Sequence, residues 1–194
     1  MTETTVNSWN VLETAHEALR SAVRGVRAGD WDRPTPCAEW TVLQVLQHAA
    51  GDQLAYASAI TGEPGPSENP FAPSGRLDGD PVDLVENAVL VTAKAWATVP
   101  VDASEVPTPL PQGALAPWLA TGACALDAAV HAWDIAVATG QDSPLTVELA
   151  RSLRPVADEL VEPLRGFAYA PALAPEAGDA EVAALLRYLG RLPR

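Results

Sequence analysis

The chain holds three histidines, and two of them stand among residues that bind ions. Asp127 and His131 are four residues apart in Leu126-Asp127-Ala128-Ala129-Val130-His131. On an α-helix that spacing puts both side chains on one face, where a carboxylate and an imidazole can grip one cation. His48 closes a second helical stretch, Thr41-Val42-Leu43-Gln44-Val45-Leu46-Gln47-His48, from which a third ligand can come. Two imidazoles and a carboxylate leave coordination positions open, as catalytic rather than structural metal sites do, because water or substrate needs somewhere to bind. Spacing alone is met more often by a plain hydrogen-bonded Asp–His pair.

Other reactive types lie near these residues in sequence. Asp134 follows His131 by three and can act as the acceptor that orients its ring, or as a cap for a neighbouring group. Cys124 lies seven residues before His131, nearly the same angle on the helix. That position suits a redox neighbour or a fourth ligand, and more commonly a small buried cysteine. Cys37 follows Pro36 at a turn, where packing is favoured over catalysis. His16 is expected on the solvated side of the first helix. Trp40 and Trp133 are expected to pack the core.

These residues need helices to hold them, and the chain reads as helices parted by proline-rich connections. Leu12, Ala15, Leu19, Ala22 and Val26 form one apolar stripe, ending near Gly29 and Asp30. A second helix opens at Thr41, with Gln44 in the capping-box position and Leu43, Leu46, Ala50, Leu54 and Ala57 as its stripe. Residues 61–79 are rich in Gly, Pro, Ser and Asn and have no apolar period, which predicts a long loop bordering the mouth of any pocket at His48. Arg76 in that loop is the candidate anchor for an anionic substrate or thiol. Asp80-Pro81 caps a third helix carrying Val85, Ala88, Thr92, Ala95 or Trp96, and Val99. A fourth runs from about Leu115 to Thr139 and stops at Gly140. Thr146 opens a fifth, expected to bend near Pro155, and a short one ends at Gly190. The fold class is all-α. It is read as a single domain over 1–194, with a four-helix core over about 5–140 and a small C-terminal extension over about 141–194.

Composition narrows the partners. Nearly half of the 194 residues are hydrophobic, 48%, which argues for a folded rather than a disordered chain. The formal net charge of −13 repels a phosphate backbone, so nucleic-acid binding is disfavoured. No apolar run approaches the ~20 residues of a membrane span, and residues 1–6 do not read as a secretory signal. Two cysteines are too few for a disulfide framework, so a reducing cytoplasm is the expected compartment.

Longer phrases say more than spacing. Pro34-Thr35-Pro36-Cys37-Ala38-Glu39-Trp40-Thr41-Val42, followed by His48, resembles the mycothiol-dependent maleylpyruvate isomerase-like proteins of the DinB/YfiT superfamily. So does Asp127-Ala128-Ala129-Val130-His131-Ala132-Trp133-Asp134, continuing to Thr139-Gly140-Gln141. The closing Leu186-Arg187-Tyr188-Leu189-Gly190-Arg191 is similar to the end of its short actinobacterial members. The resemblance implies a DinB-like four-helix bundle with a divalent metal at one end of the core and His48, Asp127 and His131 as its ligands. Many relatives use three histidines, and the isomerases use His, Glu and His. Asp127 takes the carboxylate position one methylene shorter. This ligand set suits zinc and also admits nickel, manganese or iron. The isomerases carry a further C-terminal domain that this chain is too short to hold in full.

An open position on such a metal suits thiol chemistry, because coordination deprotonates a thiol to the nucleophilic thiolate. The leading expectation is a metal-dependent transferase or isomerase using a small thiol such as mycothiol. The alternatives are a non-catalytic small-molecule-binding or regulatory protein with a bound metal, and a metal-dependent hydrolase.

Overall fold

The computed structural model describes residues 9–37 and 39–194. Residues 1–8, which include the start of the expected core and the segment read for a signal, lie outside the described residues. Six helices follow in order: α1 (Asn10–Arg24), α2 (Val42–Thr61), α3 (Pro81–Trp96), α4 (Pro117–Thr139), α5 (Val147–Leu160) and α6 (Glu181–Tyr188). A single 3-10 turn, Glu162–Leu164, follows α5. Among the described residues there is no β-strand, only isolated bridges such as Val106 with Leu115.

Cap chemistry sets the helix boundaries. The Thr41 hydroxyl accepts from the Gln44 N–H at 3.3 Å while the Gln44 side chain accepts from the Thr41 N–H at 3.0 Å, a reciprocal box that starts α2. Asp80 accepts from the Val82 N–H at 2.8 Å and Pro81 fills the first position of α3. Thr146 caps α5. At the other ends, α2 and α4 stop at Gly62 and Gly140, whose φ of 77° and 73° lies in the left-handed region that glycine adopts without strain. α1 stops at Arg24, short of the expected end near Gly29. The Gln141 amide donates to the Ala22 carbonyl at 2.9 Å, and its side chain fills the space beside Gly25 that a Cβ would need.

α1 to α4 form a DinB-like helical bundle in which α1 touches α4 and α3, and α2 touches the same two. α5 packs across α4 and α1, and α6 packs on α5. α4 is therefore buried on nearly every side, which its run of alanines permits. Gly122 lets α5 lie against α4, since a Cβ there would overlap Val156. The fully buried large side chains include Leu19, Leu46, Trp96, Leu126, Trp133 and Leu153. Truncating one of these leucines to alanine costs about 2–5 kcal/mol. No helix among the described residues is long and apolar enough to cross a membrane.

Two readings of helix faces are corrected. The buried face of α2 runs through Val42, Val45, Leu46, Ala49 and Tyr56, leaving the expected Leu43 and Leu54 only half-buried. α2 is clasped by both α3 and α4, so its core face is set by two neighbours rather than one stripe. His16 is buried, not solvated: it is 2% exposed, and its Nε2 donates to the Gln53 Oε1 at 2.8 Å.

Candidate metal centre

α2 and α4 bring the three sequence-picked residues together. Asp127 Oδ1 lies 3.3 Å from the Nε2 of His48 and 3.3 Å from the Nε2 of His131. One ligand atom from each falls within 4.8 Å of the others. The i,i+4 spacing on α4 gives the Asp127–His131 edge directly, and the contact between α2 and α4 gives the other.

Each imidazole is held from behind. The His48 Nδ1 lies 2.9 Å from the Pro70 carbonyl oxygen, which can only accept, so Nδ1 carries the proton and Nε2 faces Asp127. Pro70 reaches that position because Gly51, three residues along α2, has no side chain: a Cβ there would stand 2.9 Å from the Pro70 Cγ. The His131 Nδ1 donates to Asp134 Oδ2 at 3.0 Å. Asp134 is fully buried and clamped by Arg191, whose Nε and Nη2 donate to its two oxygens at 2.9 and 2.8 Å. The predicted orienting role of Asp134 is thus matched by a contact, and the residue behind it is one that sequence reasoning passed over. Arg191 arrives from beyond Gly190, where the chain turns with φ of 77°.

The charges follow from these contacts. Burial alone would raise the Asp127 carboxyl, yet His131 and His48 beside it hold it well below the usual carboxylate range. Burial likewise opposes charge on His131, and the Asp127 carboxylate overrides it, so the imidazole is pulled well above its ordinary value. Burial of Asp134 is overcome by Arg191 and then His131, which keep it ionised. Asp52, one turn beyond His48 on α2, goes the other way: burial first and the Asp127 carboxylate second push it well above the carboxylate range. Asp127 Oδ2 is buried without any hydrogen-bond partner.

Cys37, read as a packing residue, lies against the rear of the same cluster. Its Sγ stands 3.4 Å from both Asp134 Oδ2 and Arg191 Nη2, and 4.0 Å from His131 Nδ1. Cys124 is buried in the core with its thiol on Gln53 Oε1 at 3.0 Å, away from the three ligands. Trp133 is buried as expected, whereas Trp40 stacks 4.8 Å from the His48 ring at the site. A cleft of about 620 Å³ opens onto the cluster, walled by Leu126, Val130, Leu160 and Leu164 and rimmed by Phe71 and Phe167. The loop after α2 therefore reaches the site through Pro70 and Phe71. Arg76 is exposed, its main-chain carbonyl takes the Gln47 amide, and its side chain is not among those lining the cleft.

The helical bundle thus carries a His–Asp–His cluster that faces a cleft. The chain belongs to the mycothiol maleylpyruvate isomerase N-terminal domain family, whose model matches residues 12–136. It is 31% identical over 153 residues to uncharacterized proteins of Mycobacterium tuberculosis strains CDC 1551 and H37Rv, covering 78% of this chain and 78% of each of them. No solved structure matches it. The family match contains His48, Asp127, His131 and Asp134, and ends before Phe167 and Arg191.

Proposed function

We propose that His48, Asp127 and His131 hold one divalent cation, and that the cleft beside it is where a small thiol of the mycothiol type is activated for transfer or isomerisation. The observation that carries this reading is the convergence of acceptors. With both Nδ1 atoms turned to Pro70 and Asp134, the two Nε2 atoms each stand 3.3 Å from the same Asp127 oxygen. Such a triangle needs a proton or a cation at its centre, and the unpaired Asp127 Oδ2 adds a second free acceptor. Two nitrogens and a carboxylate fit zinc, and nickel, manganese or iron(II) as well.

When bound, the cation supplies Lewis acidity that deprotonates a thiol or lowers the pKa of water. The chain's own residues do the rest. Asp134 and Pro70 fix which imidazole nitrogen faces the centre, and Arg191 keeps Asp134 ionised for that task. Asp52 lines the cleft, where burial and the Asp127 carboxylate favour its protonated form. The leucine walls exclude water, which strengthens every charge interaction inside.

Metal analysis of protein purified without a histidine tag tests the site: about one equivalent of divalent metal is expected in the parent and little in His131→Ala. Equal content in both overturns it. The thiol role is read on cobalt-substituted protein, where a thiolate-to-metal band should rise with added thiol and vanish in His48→Ala. Cobalt protein that ignores thiol leaves the non-catalytic binding reading in its place.

A further inference from the structure

The chain contains two phenylalanines, and both stand at the mouth of this cleft, 47% and 69% exposed. Phe71 comes from the loop after α2 and Phe167 from the turn after the 3-10 segment, yet their ring centroids are 5.2 Å apart. Phe71 also meets His48 edge-on at 5.3 Å, and the Trp40 ring lies 4.8 Å from that imidazole. Aromatic rings thus run unbroken from one ligand of the cluster out to solvent. Leaving large rings exposed forfeits the burial that stabilises every other wide ring in the core.

Charge limits what can sit on those rings. Among the described residues Arg191 is the only arginine or lysine lining the cleft, and both oxygens of Asp134 already take its guanidinium. The acids Glu39, Asp52 and Asp127 also line it. An anionic group away from the three-ligand centre would enter a desolvated space with no cation to meet it. The volume of about 620 Å³ is that of an ordinary small-molecule site.

We propose that the co-substrate is a flat, uncharged hydrophobic molecule of one or two rings that stacks on Phe71 and Phe167, and that dicarboxylates are excluded. The inference rests on the proposed function only in taking this cleft as the place where a co-substrate meets the centre.

Calorimetric titration of the zinc-loaded full chain with 2-naphthalenemethanol and with 2,6-naphthalenedicarboxylate tests it. The neutral probe should bind at least about tenfold more tightly, a difference of one decade in Kd. Phe71→Ala/Phe167→Ala should weaken the neutral probe by about tenfold while zinc content stays that of the parent. Both rings lie on exposed loops, so the bundle does not depend on them. Equal or tighter binding of the dicarboxylate overturns the proposal. So does unchanged neutral-probe affinity in the double variant; a fall in molecular mass with it would assign the rings to a contact between copies. Zinc content in the same samples reports on the metal site separately: naphthalenemethanol binding to a protein that takes no zinc sustains the cleft reading and removes only the metal one.

Discussion

Two buried histidine clusters share α2, five residues apart, and they are built on opposite terms. Around Gln53 hydrogen bonds close across four helices. His16 donates to Gln53 Oε1 at 2.8 Å, the Gln53 amide donates to the Cys124 carbonyl at 3.1 Å, and Thr92 donates to the Gln53 carbonyl at 2.8 Å. Around His48 both imidazoles turn on one Asp127 oxygen, and Asp127 Oδ2 has no partner. The other unpaired buried group among the described residues, the Trp96 indole N–H, is neutral, so its penalty is small beside that of an ionised oxygen. Burial drives His16 down to about 4, whereas Asp127 and Asp134 pull His131 upward against the same burial. A saturated polar cluster ties helices together; an unsaturated one beside a cleft leaves an acceptor free.

The largest effect is expected behind the unsaturated cluster. Arg191→Ala strands the fully buried Asp134 without its guanidinium, and urea unfolding should show a loss of about 3–5 kcal/mol. Arg191→Lys should recover only part of it, since an ammonium cannot bridge both oxygens. A parent-like midpoint in Arg191→Ala would mean the clamp is idle.

Next is the acid response of the closed cluster. An unfolded His16 takes its proton near its ordinary value of 6.5, the folded one only at about 4. Between those values the unfolded chain binds the extra proton, so stability falls as pH falls, by about 3 kcal/mol across the window, and is level on this account above it. Stability against pH should flatten there in His16→Gln. An unchanged slope in that variant would place the acid sensitivity elsewhere.

Gln53→Leu separates the clusters. It leaves the His16 imidazole and the Cys124 thiol without their partner and should destabilise the fold by about 2 kcal/mol. Metal content per folded molecule should not move, while Asp127→Asn should lose the metal. Coupled losses in both variants would show that the clusters act as one.

The smallest effect on stability is expected from Gly51→Ala. Better helix propensity, worth about 1 kcal/mol, offsets the crowding against Pro70. Displacing Pro70 frees the His48 ring, so affinity for zinc should drop by about tenfold although the fold barely changes. Parent-like zinc affinity would show that the Pro70 carbonyl does not set the ring.

The sequence showed these clusters unequally. Thr41 with Gln44, Asp80 with Pro81, and Thr146 announce their helices because caps are local chemistry. Asp127 and His131 were legible because four residues of helix fix their geometry. His16 was not: its partner lies 37 residues away, and a polar residue at the edge of an apolar stripe looks solvated until the opposite helix is in place. Arg191 and Cys37 were harder still, being 154 residues apart. The loop next to His48 drew attention to Arg76, while the guanidinium that reaches the cluster comes from the far end of the chain. One available signal was Gly51, a glycine inside a helix beside a histidine, which marks a place where another backbone comes close.

The Asp134–Arg191 pair also sets an order of events during synthesis. Asp134 leaves the ribosome 57 residues before its partner, a delay of roughly 3–11 s at about 5–20 residues per second. For those seconds α4 can join α1, α2 and α3 only by burying the Asp134 carboxylate without its guanidinium, so docking of this helix end should wait for residue 191 to emerge. The nascent chain then keeps the mouth of its cleft unfinished and wet until translation reaches residue 191, and a cation has no completed nest to enter before then.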